Sequence, residues 1–272
     1  MLNLFTTYLK SEGRAEKSIK AYTQDVKLMM ERINKPVEEI KYMDLLNYKN
    51  FLMENYSSST AHRALISVKL FFGFLYDIEI IEKNPAEKLT TNIKVESKGQ
   101  TSLSSEQVEK ILSVAKGRDK AILSVMFATG VRVSEMMNIT LDQYNNRANG
   151  IQIVGKGNKK RKIFLNNTVC EVVDNYLPTR KTGCEYLFTS KFGSKMTQES
   201  VSAMLKRVCK TAGIEGADKI SPHCTRHSFA TNKIREGKNL TAVSKALGHY
   251  NASFTAKVYV DMDDSDVCDV MM

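Results

Sequence analysis

The chain has 272 residues, 42% of them hydrophobic, which is enough for two domains with packed cores. No stretch approaches the roughly 20 consecutive apolar residues that cross a bilayer, and the initial MLNLFTTYLKSEG lacks the features of a secretory signal, so we expect a cytoplasmic protein with no membrane partner. Five cysteines without a CxxC pair argue against a disulfide framework or a zinc finger.

The net charge of +10 is concentrated in the middle of the chain. Residues 1–98 carry +2, residues 99–259 carry +13 from 25 basic and 12 acidic side chains, and residues 260–272 carry −5. Such a basic region predicts a polyanionic partner, nucleic acid before an anionic membrane surface. A solvated basic face without any such partner is an equal alternative on charge alone.

Residues 1–90 carry apolar side chains at helical spacing throughout. Pro36 suits the first turn of a third helix. Ser57–Ser59 interrupt the pattern and offer capping hydroxyls, and Asn84-Pro85 marks the end of helical structure. We predict a bundle of four or five helices over residues 1–90, followed by a polar linker over residues 91–102.

A second domain is predicted over residues 103–272. Ser104 and Gln107 form a capping-box pattern, an apolar helix over 121–128 stops at Gly130, and a short helix starts near Arg132. Two β-prone segments, Ile151–Val154 and Lys162–Leu165, flank a glycine-containing turn and predict an antiparallel hairpin. Further helices are predicted over 167–177, 197–212, 224–236, 240–247 and 253–259. The predicted fold class is therefore mainly α, with a small antiparallel β-sheet in the second domain.

The second domain contains the residue types that cleave a phosphodiester without a metal ion. Two guanidinium groups can neutralise the phosphate oxygens, an acid must protonate the leaving oxygen, and a base must accept the nucleophile's proton. Tyrosine, with a pKa of ~10, needs cationic neighbours to act as that nucleophile. The candidates in chain order are Arg132, Lys156, His223, Arg226, His249 and Tyr259.

Four segments that contain these residues, TGVRVSE, GKGNKKR, PHCTRHSFAT and LGH…KVY, resemble the signature of the tyrosine recombinases, the phage integrase and Xer-type family. The N-terminal segments AEKSIKAYTQDVKLMM and STAHRALISVKLFFGFLYDIEIIEKNPA resemble the family's helical core-binding domain. The resemblance implies the DNA breaking-rejoining fold, with a SAM-like DNA-binding domain over 1–90 and a catalytic domain over 103–272 that ends in an acidic tail over 260–272.

The same resemblance implies a role for each candidate residue. Arg132 and Arg226 would hold the scissile phosphate, Lys156 would protonate the leaving 5′ oxygen, and His223 would assist proton transfer from the nucleophile Tyr259. His249 would hydrogen-bond the phosphate. The implied activity is site-specific recombination through a 3′-phosphotyrosyl intermediate, with no metal, ATP or other cofactor. The implied partners are double-stranded DNA, three further copies of the chain in a synaptic tetramer, and accessory DNA-bending proteins.

Several alternatives stay open at this stage. Arg132 and Glu135 can be a surface ion pair, Lys156 can belong to a merely basic turn, and His227 suits helix packing. A type IB topoisomerase-like relaxase and a non-catalytic DNA-binding protein are the alternative functions. Cys224, Thr225 and Phe254–Ala256 depart from the family's usual residues without removing a candidate. The tail over 260–272 is either a frayed terminus or a segment that docks on a neighbouring protomer.

Overall fold

The computed structural model describes residues 1–93, 102–155 and 158–248. The chain divides into two compact units, Met1–Lys98 and Gly99–Met272, and each unit has its own hydrophobic core. The mainly helical fold class that the sequence predicted is confirmed. The domain boundaries at residues 90 and 103 stay predictions. Within the described ranges, no helix is long and apolar enough to cross a bilayer.

The described residues of the first unit form a bundle of four α-helices whose apolar faces meet in one core. Its helices are α1 (Leu2–Ser11), α2 (Glu16–Ile33), α3 (Tyr42–Asn55) and α4 (Ser58–Asp77). Aromatic rings fill much of the space between α1 and α4: Phe5 meets the edge of Phe71 at 5.2 Å, and Tyr8 stacks on Phe74 at 4.8 Å between centroids. Ser57 caps α4 as predicted, because its hydroxyl accepts from the Thr60 amide.

The prediction that Pro36 opens the third helix was wrong. Pro36 instead precedes a short 3₁₀ turn, Val37–Glu39, which buries Val37 and is followed by the buried Ile40. The α-helix starts only at Tyr42, where the Asp44 carboxylate accepts from the Lys41 amide at 2.9 Å and pairs with the Lys35 ammonium at 2.6 Å. A capping carboxylate and two buried aliphatic side chains therefore decided the start of the helix.

Thr90, the last residue of the predicted bundle, and the first residues of the predicted linker are attached to the first unit. The imidazole Nδ1 of His62 donates to the Thr91 carbonyl at 2.6 Å, and the Lys49 ammonium donates to the Thr90 carbonyl at 3.0 Å. Ile93 packs against the first core. Polar residues without an apolar period can thus still be held by side chains of a preceding helix.

The second unit is built around one buried helix. Its helices are α5 (Ser105–Val114), α6 (Gly117–Thr129), α7 (Val133–Met136), α8 (Leu141–Asn145), α9 (Asn167–Tyr176), α10 (Gln198–Thr211), α11 (Pro222–Arg235) and α12 (Leu240–Leu247). Short 3₁₀ turns span Arg147–Asn149, Leu177–Thr179 and Ala217–Lys219. Residues 121–127 of α6 are buried on every face because α9 and α11 pack on it. The predicted Ser104–Gln107 capping box is present.

A two-stranded antiparallel sheet joins β1 (Ile151–Val154) and β2 (Lys160–Ile163). The predicted second strand, Lys162–Leu165, lay two residues too late. The register pairs the buried Ile151 with Ile163 and places Arg161 opposite Ile153, so Arg161 shares the inward face with Ile163. The local pattern favoured the apolar segment Ile163–Leu165, but cross-strand pairing included the basic residues and left Phe164 exposed.

Candidate active site

The first turn of α11 carries two of the predicted site residues, His223 and Arg226. Ser221 precedes the helix and Pro222 occupies its first position, which suits proline because that amide has no helical partner. The two side chains are three residues apart and share one face of the helix. The helix is also anchored to the chain entering this unit, since the Leu103 amide donates to the Ser228 hydroxyl at 2.8 Å.

The Arg226 side chain is buried, with 4% of its surface exposed, and it joins two other helix ends. Its two terminal nitrogens donate to the Gly130 carbonyl at 2.9 Å and to the Leu247 carbonyl at 2.6 Å, at the ends of α6 and α12. Gly130 has φ +59°, and a Cβ there would lie 2.6 Å from a Leu247 methyl carbon. The three helix ends therefore meet closely around the guanidinium and fix its position.

Arg132 lies just after this junction, at the start of α7, and pairs with Glu135. The Arg132 guanidinium donates to Glu135 Oε1 at 2.8 Å, and the Arg132 amide donates to Glu135 Oε2 at 3.0 Å. The i,i+3 ion pair that the sequence allowed is thus present. It is no ordinary solvated pair, however, because the Glu135 side chain is only 3% exposed.

Arg161 of β2 binds the same carboxylate from the other side. Its terminal nitrogens donate to both Glu135 oxygens, at 2.9 and 2.7 Å, and its Nε donates to the Ala246 carbonyl of α12 at 3.1 Å. Arg161 is itself 13% exposed. The sequence identified Arg161 only as part of a basic run. Its alternation with Ile163 along the strand is the one signal that would have pointed it inward.

The electrostatics of this cluster follow from placing four ionisable groups together, with Arg132 the most exposed of them. Burial alone would raise the pKa of the Glu135 carboxyl, but hydrogen bonds from Arg161 and Arg132 outweigh it and hold the pKa below its ordinary value. Burial lowers the pKa of the Arg226 guanidinium, and the charges of Arg132 and Arg161 lower it further. The site is therefore an electropositive cluster that favours an anion.

His223 belongs to this electropositive region although its surface is exposed. Protein atoms surround the ring closely enough to desolvate it in part, which lowers the pKa of the imidazole, and the charges of Arg226 and then Arg132 lower it further. The lowered pKa favours the neutral form of the ring, which can accept a proton.

The described residues bring together three of the six predicted site residues, Arg132, His223 and Arg226. The other three, Lys156, His249 and Tyr259, lie outside the described residues, as do the helix predicted over 253–259 and the tail over 260–272. His227 is half-buried, and its Nδ1 lies 3.3 Å from the Thr231 hydroxyl. That contact agrees with the packing role that the sequence favoured for His227.

Comparisons with known proteins show which family the sequence matches. The phage integrase family matches residues 101–266, and the SAM-like N-terminal domain of phage integrases matches residues 2–78. Tyrosine recombinase XerC of Caldanaerobacter subterraneus subsp. tengcongensis is 31% identical, with 98% of this chain and 83% of the relative covered. Tyrosine recombinase XerD of Vibrio cholerae is 28% identical, with 91% and 86% covered.

The fold is also similar to that of solved recombinase structures. The crystal structure of XerH site-specific recombinase bound to a palindromic difH substrate matches with a TM-score of 0.77 at 21% identity, over 93% of this chain and 78% of the other. The family match extends over the junction that holds Arg132, His223 and Arg226. The chain belongs to the phage integrase family, whose members similar to it are tyrosine recombinases.

Proposed function

We propose that this chain is a site-specific DNA recombinase that cuts and rejoins double-stranded DNA through a 3′-phosphotyrosyl bond to Tyr259. Residues 103–272 would form its catalytic domain, and residues 1–90 its core-binding domain. The observation that carries the proposal is the pair of guanidiniums, Arg132 and Arg226, beside the imidazole of His223 at one junction of helix ends.

The two arginines suit a phosphodiester in both number and geometry. A phosphodiester carries one negative charge, and attack by an oxygen nucleophile adds a second as the five-coordinate transition state forms. Two guanidiniums fixed by protein carbonyls and a carboxylate are positioned before the substrate arrives, so they stabilise the developing charge without reorganising. Each planar fork can donate two hydrogen bonds to one phosphate group.

The predicted residues account for every proton that moves in the reaction. The phenol oxygen of Tyr259 attacks phosphorus and forms the phosphotyrosyl bond, and its proton passes to neutral His223. The bond to the 5′ oxygen breaks, and the Lys156 ammonium protonates that oxygen. His249 donates a hydrogen bond to the phosphate. Reversal with the 5′ hydroxyl of another strand restores a phosphodiester and both protons, so no ATP is consumed.

Rejoining to a different strand requires two duplexes, which argues for further copies of the chain as partners. We propose a tetramer on two DNA duplexes, with accessory DNA-bending proteins as additional partners. The basic character of residues 99–259 supports DNA as the ligand, as does the relative XerH, whose structure contains a difH substrate. Binding is expected to weaken steeply with salt, because each neutralised phosphate releases a counterion.

The proposal is tested by covalent capture. A pool of nicked duplexes with randomised sequence is incubated with the chain, and protein-linked strands are isolated under denaturing conditions and sequenced. The enriched duplex then serves as the substrate. We expect Tyr259→Phe to bind this duplex and to form no adduct. An adduct that persists in this variant excludes Tyr259 as the nucleophile, and a wild-type chain that captures no DNA supports the non-catalytic alternative.

Two further measurements separate the remaining possibilities. A supercoiled plasmid that lacks the captured sequence should stay supercoiled, because relaxation without a specific site indicates a topoisomerase-like relaxase. Lys156→Ala should cleave the ordinary duplex slowly but should cleave a 5′-bridging phosphorothiolate at nearly the wild-type rate, since a thiolate leaves without protonation. Equal defects on both substrates would exclude Lys156 as the acid.

A further inference from the structure

The Glu135 carboxylate poses a problem for the proposed chemistry. It is buried and hydrogen-bonded to both the side chain and the amide of Arg132. A buried anion at 2.8 Å would cancel much of the charge that Arg132 has to offer to a phosphate. With Arg132, Arg226 and Glu135 alone, the formal charge of the cluster would be +1, short of the two negative charges of the transition state.

Arg161 resolves this problem by its geometry. It forms a two-pronged pair with Glu135, with N–O distances of 2.9 and 2.7 Å, the strongest arrangement for an arginine and a carboxylate. Each carboxylate oxygen thus accepts one bond from Arg161 and one from Arg132. The formal charge of the four groups becomes +2, and the charge of Arg132 is no longer matched one-to-one by Glu135.

A third hydrogen bond of Arg161 also ties strand β2 to the end of α12. Its Nε donates to the Ala246 carbonyl at the C-terminal end of α12, which favours a cation. Gly248, with φ +67°, follows directly, and a Cβ there would lie 3.0 Å from Arg161 Cδ. The same side chain therefore joins strand β2, helix α7 and the end of α12, and the chain continues from these segments to Lys156 on one side and His249 on the other.

We propose that Arg161 is a positioning residue of the recombinase: it takes up the charge of Glu135, so that Arg132 remains available to the scissile phosphate, and it fixes β2 and the end of α12 against the phosphate-binding arginines. The inference rests on the proposed function. Arg161 is not expected to touch DNA, because all three nitrogens of its guanidinium already donate to protein acceptors.

The test compares binding with the chemical step on the captured duplex. Arg161→Gln should bind this duplex as Lys160→Gln does, because Lys160 is an exposed residue of the same strand and its substitution removes the same charge. At saturating protein, Arg161→Gln should form the covalent adduct about 10- to 100-fold more slowly, as expected from a misplaced phosphate-binding group, and Lys160→Gln at the wild-type rate. A wild-type rate for Arg161→Gln overturns the inference.

A double variant distinguishes this role from a purely structural one. In Arg161→Gln, Glu135 is left to neutralise Arg132 alone. Adding Glu135→Gln removes that anion and should restore part of the cleavage rate, although both substitutions remove buried bonds. A double variant no faster than Arg161→Gln contradicts the charge argument. Arg161→Lys, which keeps the charge but not the two-pronged geometry, should lie between wild type and Arg161→Gln, and it serves as the second variant if Arg161→Gln does not fold. If the wild-type chain itself captures no DNA, the proposed function fails instead.

Discussion

Both units bury a carboxylate against an arginine. The pKa of the carboxyl shifts in opposite directions in the two units, and this difference distinguishes a structural ion pair from one in a functional site. In the first unit, Asp25 accepts from Arg63 at 2.6 Å and from the Ser67 hydroxyl at 2.7 Å. Burial dominates there and raises the pKa of the Asp25 carboxyl. In the second unit, Glu135 accepts from two arginines, and the pKa of its carboxyl is lowered.

The difference shows what a second cation does to a buried anion. One arginine, itself 41% exposed, does not offset the desolvation of Asp25, so that pair adds little to stability and leaves no net charge. Two arginines overcompensate Glu135, and a third, Arg226, lies close enough for their charges to lower its pKa. An excess of buried positive charge is costly for folding, and it is useful where an anion binds.

The largest expected contrast is between the arginines of the two units. Arg226→Lys should lower the rate of covalent adduct formation by about 10²- to 10³-fold, because an ammonium cannot bond two carbonyls and present a planar fork to phosphate. The matched substitution Arg63→Lys should leave the rate in preformed DNA complexes unchanged. Single-turnover assays on the captured duplex measure both. Equal losses in the two variants would remove the distinction between the units.

The two carboxylates should differ next in stability. Glu135→Gln leaves Arg132 and Arg161 without a counter-charge and should destabilise the second unit by about 3 kcal/mol, near the low end for a broken buried pair because Arg132 is partly exposed. Asp25→Asn should change the first unit by less than about 1 kcal/mol, since it relieves desolvation while it weakens one pair. Native-state hydrogen exchange, read separately in α4 and in β1–β2, measures each unit.

The contributions of Glu135 and Asp25 to the stability of their units should change with pH in opposite directions. The lowered pKa of Glu135 means that its contribution is complete above the ordinary value of 4.5 and is lost as the pH falls through the folded-state pKa. The difference between wild type and Glu135→Gln should therefore shrink in acid. The raised pKa of Asp25 means that the first unit gains stability as the pH falls from that pKa towards 3.8, and Asp25→Asn should abolish the gain.

The two units also differ in how they hold the hydroxyl of a buried tyrosine. The Tyr144 hydroxyl of the second unit donates to Asp174 at 2.7 Å, whereas the buried Tyr48 hydroxyl of the first unit has no hydrogen-bond partner among the residues described. Tyr144→Phe should destabilise its unit by about 1 kcal/mol. Tyr48→Phe should be neutral or stabilising by up to about 1 kcal/mol, because it removes an unsatisfied polar group. Destabilisation by Tyr48→Phe would contradict this account.

The smallest expected effect concerns the ionisation of His223. In the DNA-free protein its imidazole should titrate below the ordinary pKa of 6.5, and Arg132→Gln should raise that pKa towards 6.5 by removing a neighbouring charge. Arg63→Lys should not move it. Proton NMR of the imidazole C–H signals over pH 4–8 measures the three titrations. A His223 pKa at or above 6.5 in the wild-type chain would mean that no cationic site surrounds it.

The sequence by itself determined the elements whose signals are local. The Ser57 cap, the Ser104–Gln107 capping box and the shared face of His223 and Arg226 all involve residues within four positions of each other, where helix geometry dictates proximity. The family resemblance, confirmed by the comparisons, also rested on short segments in a fixed order. The pairing of β1 with β2 was harder to predict from the sequence, since strand register depends on which side chains are buried in the core.

Only the tertiary structure decided how the arginines are held. Arg226 finds its carbonyl acceptors at Gly130 and Leu247, far along the chain, and Arg161 reaches Glu135 from a different element altogether. No local pattern encodes these partners, because each is created by packing α6, α7, α12 and β2 against one another. A charged residue's type can be read from the sequence, but whether it is solvated, neutralised or available to a phosphate depends on which groups the fold buries beside it.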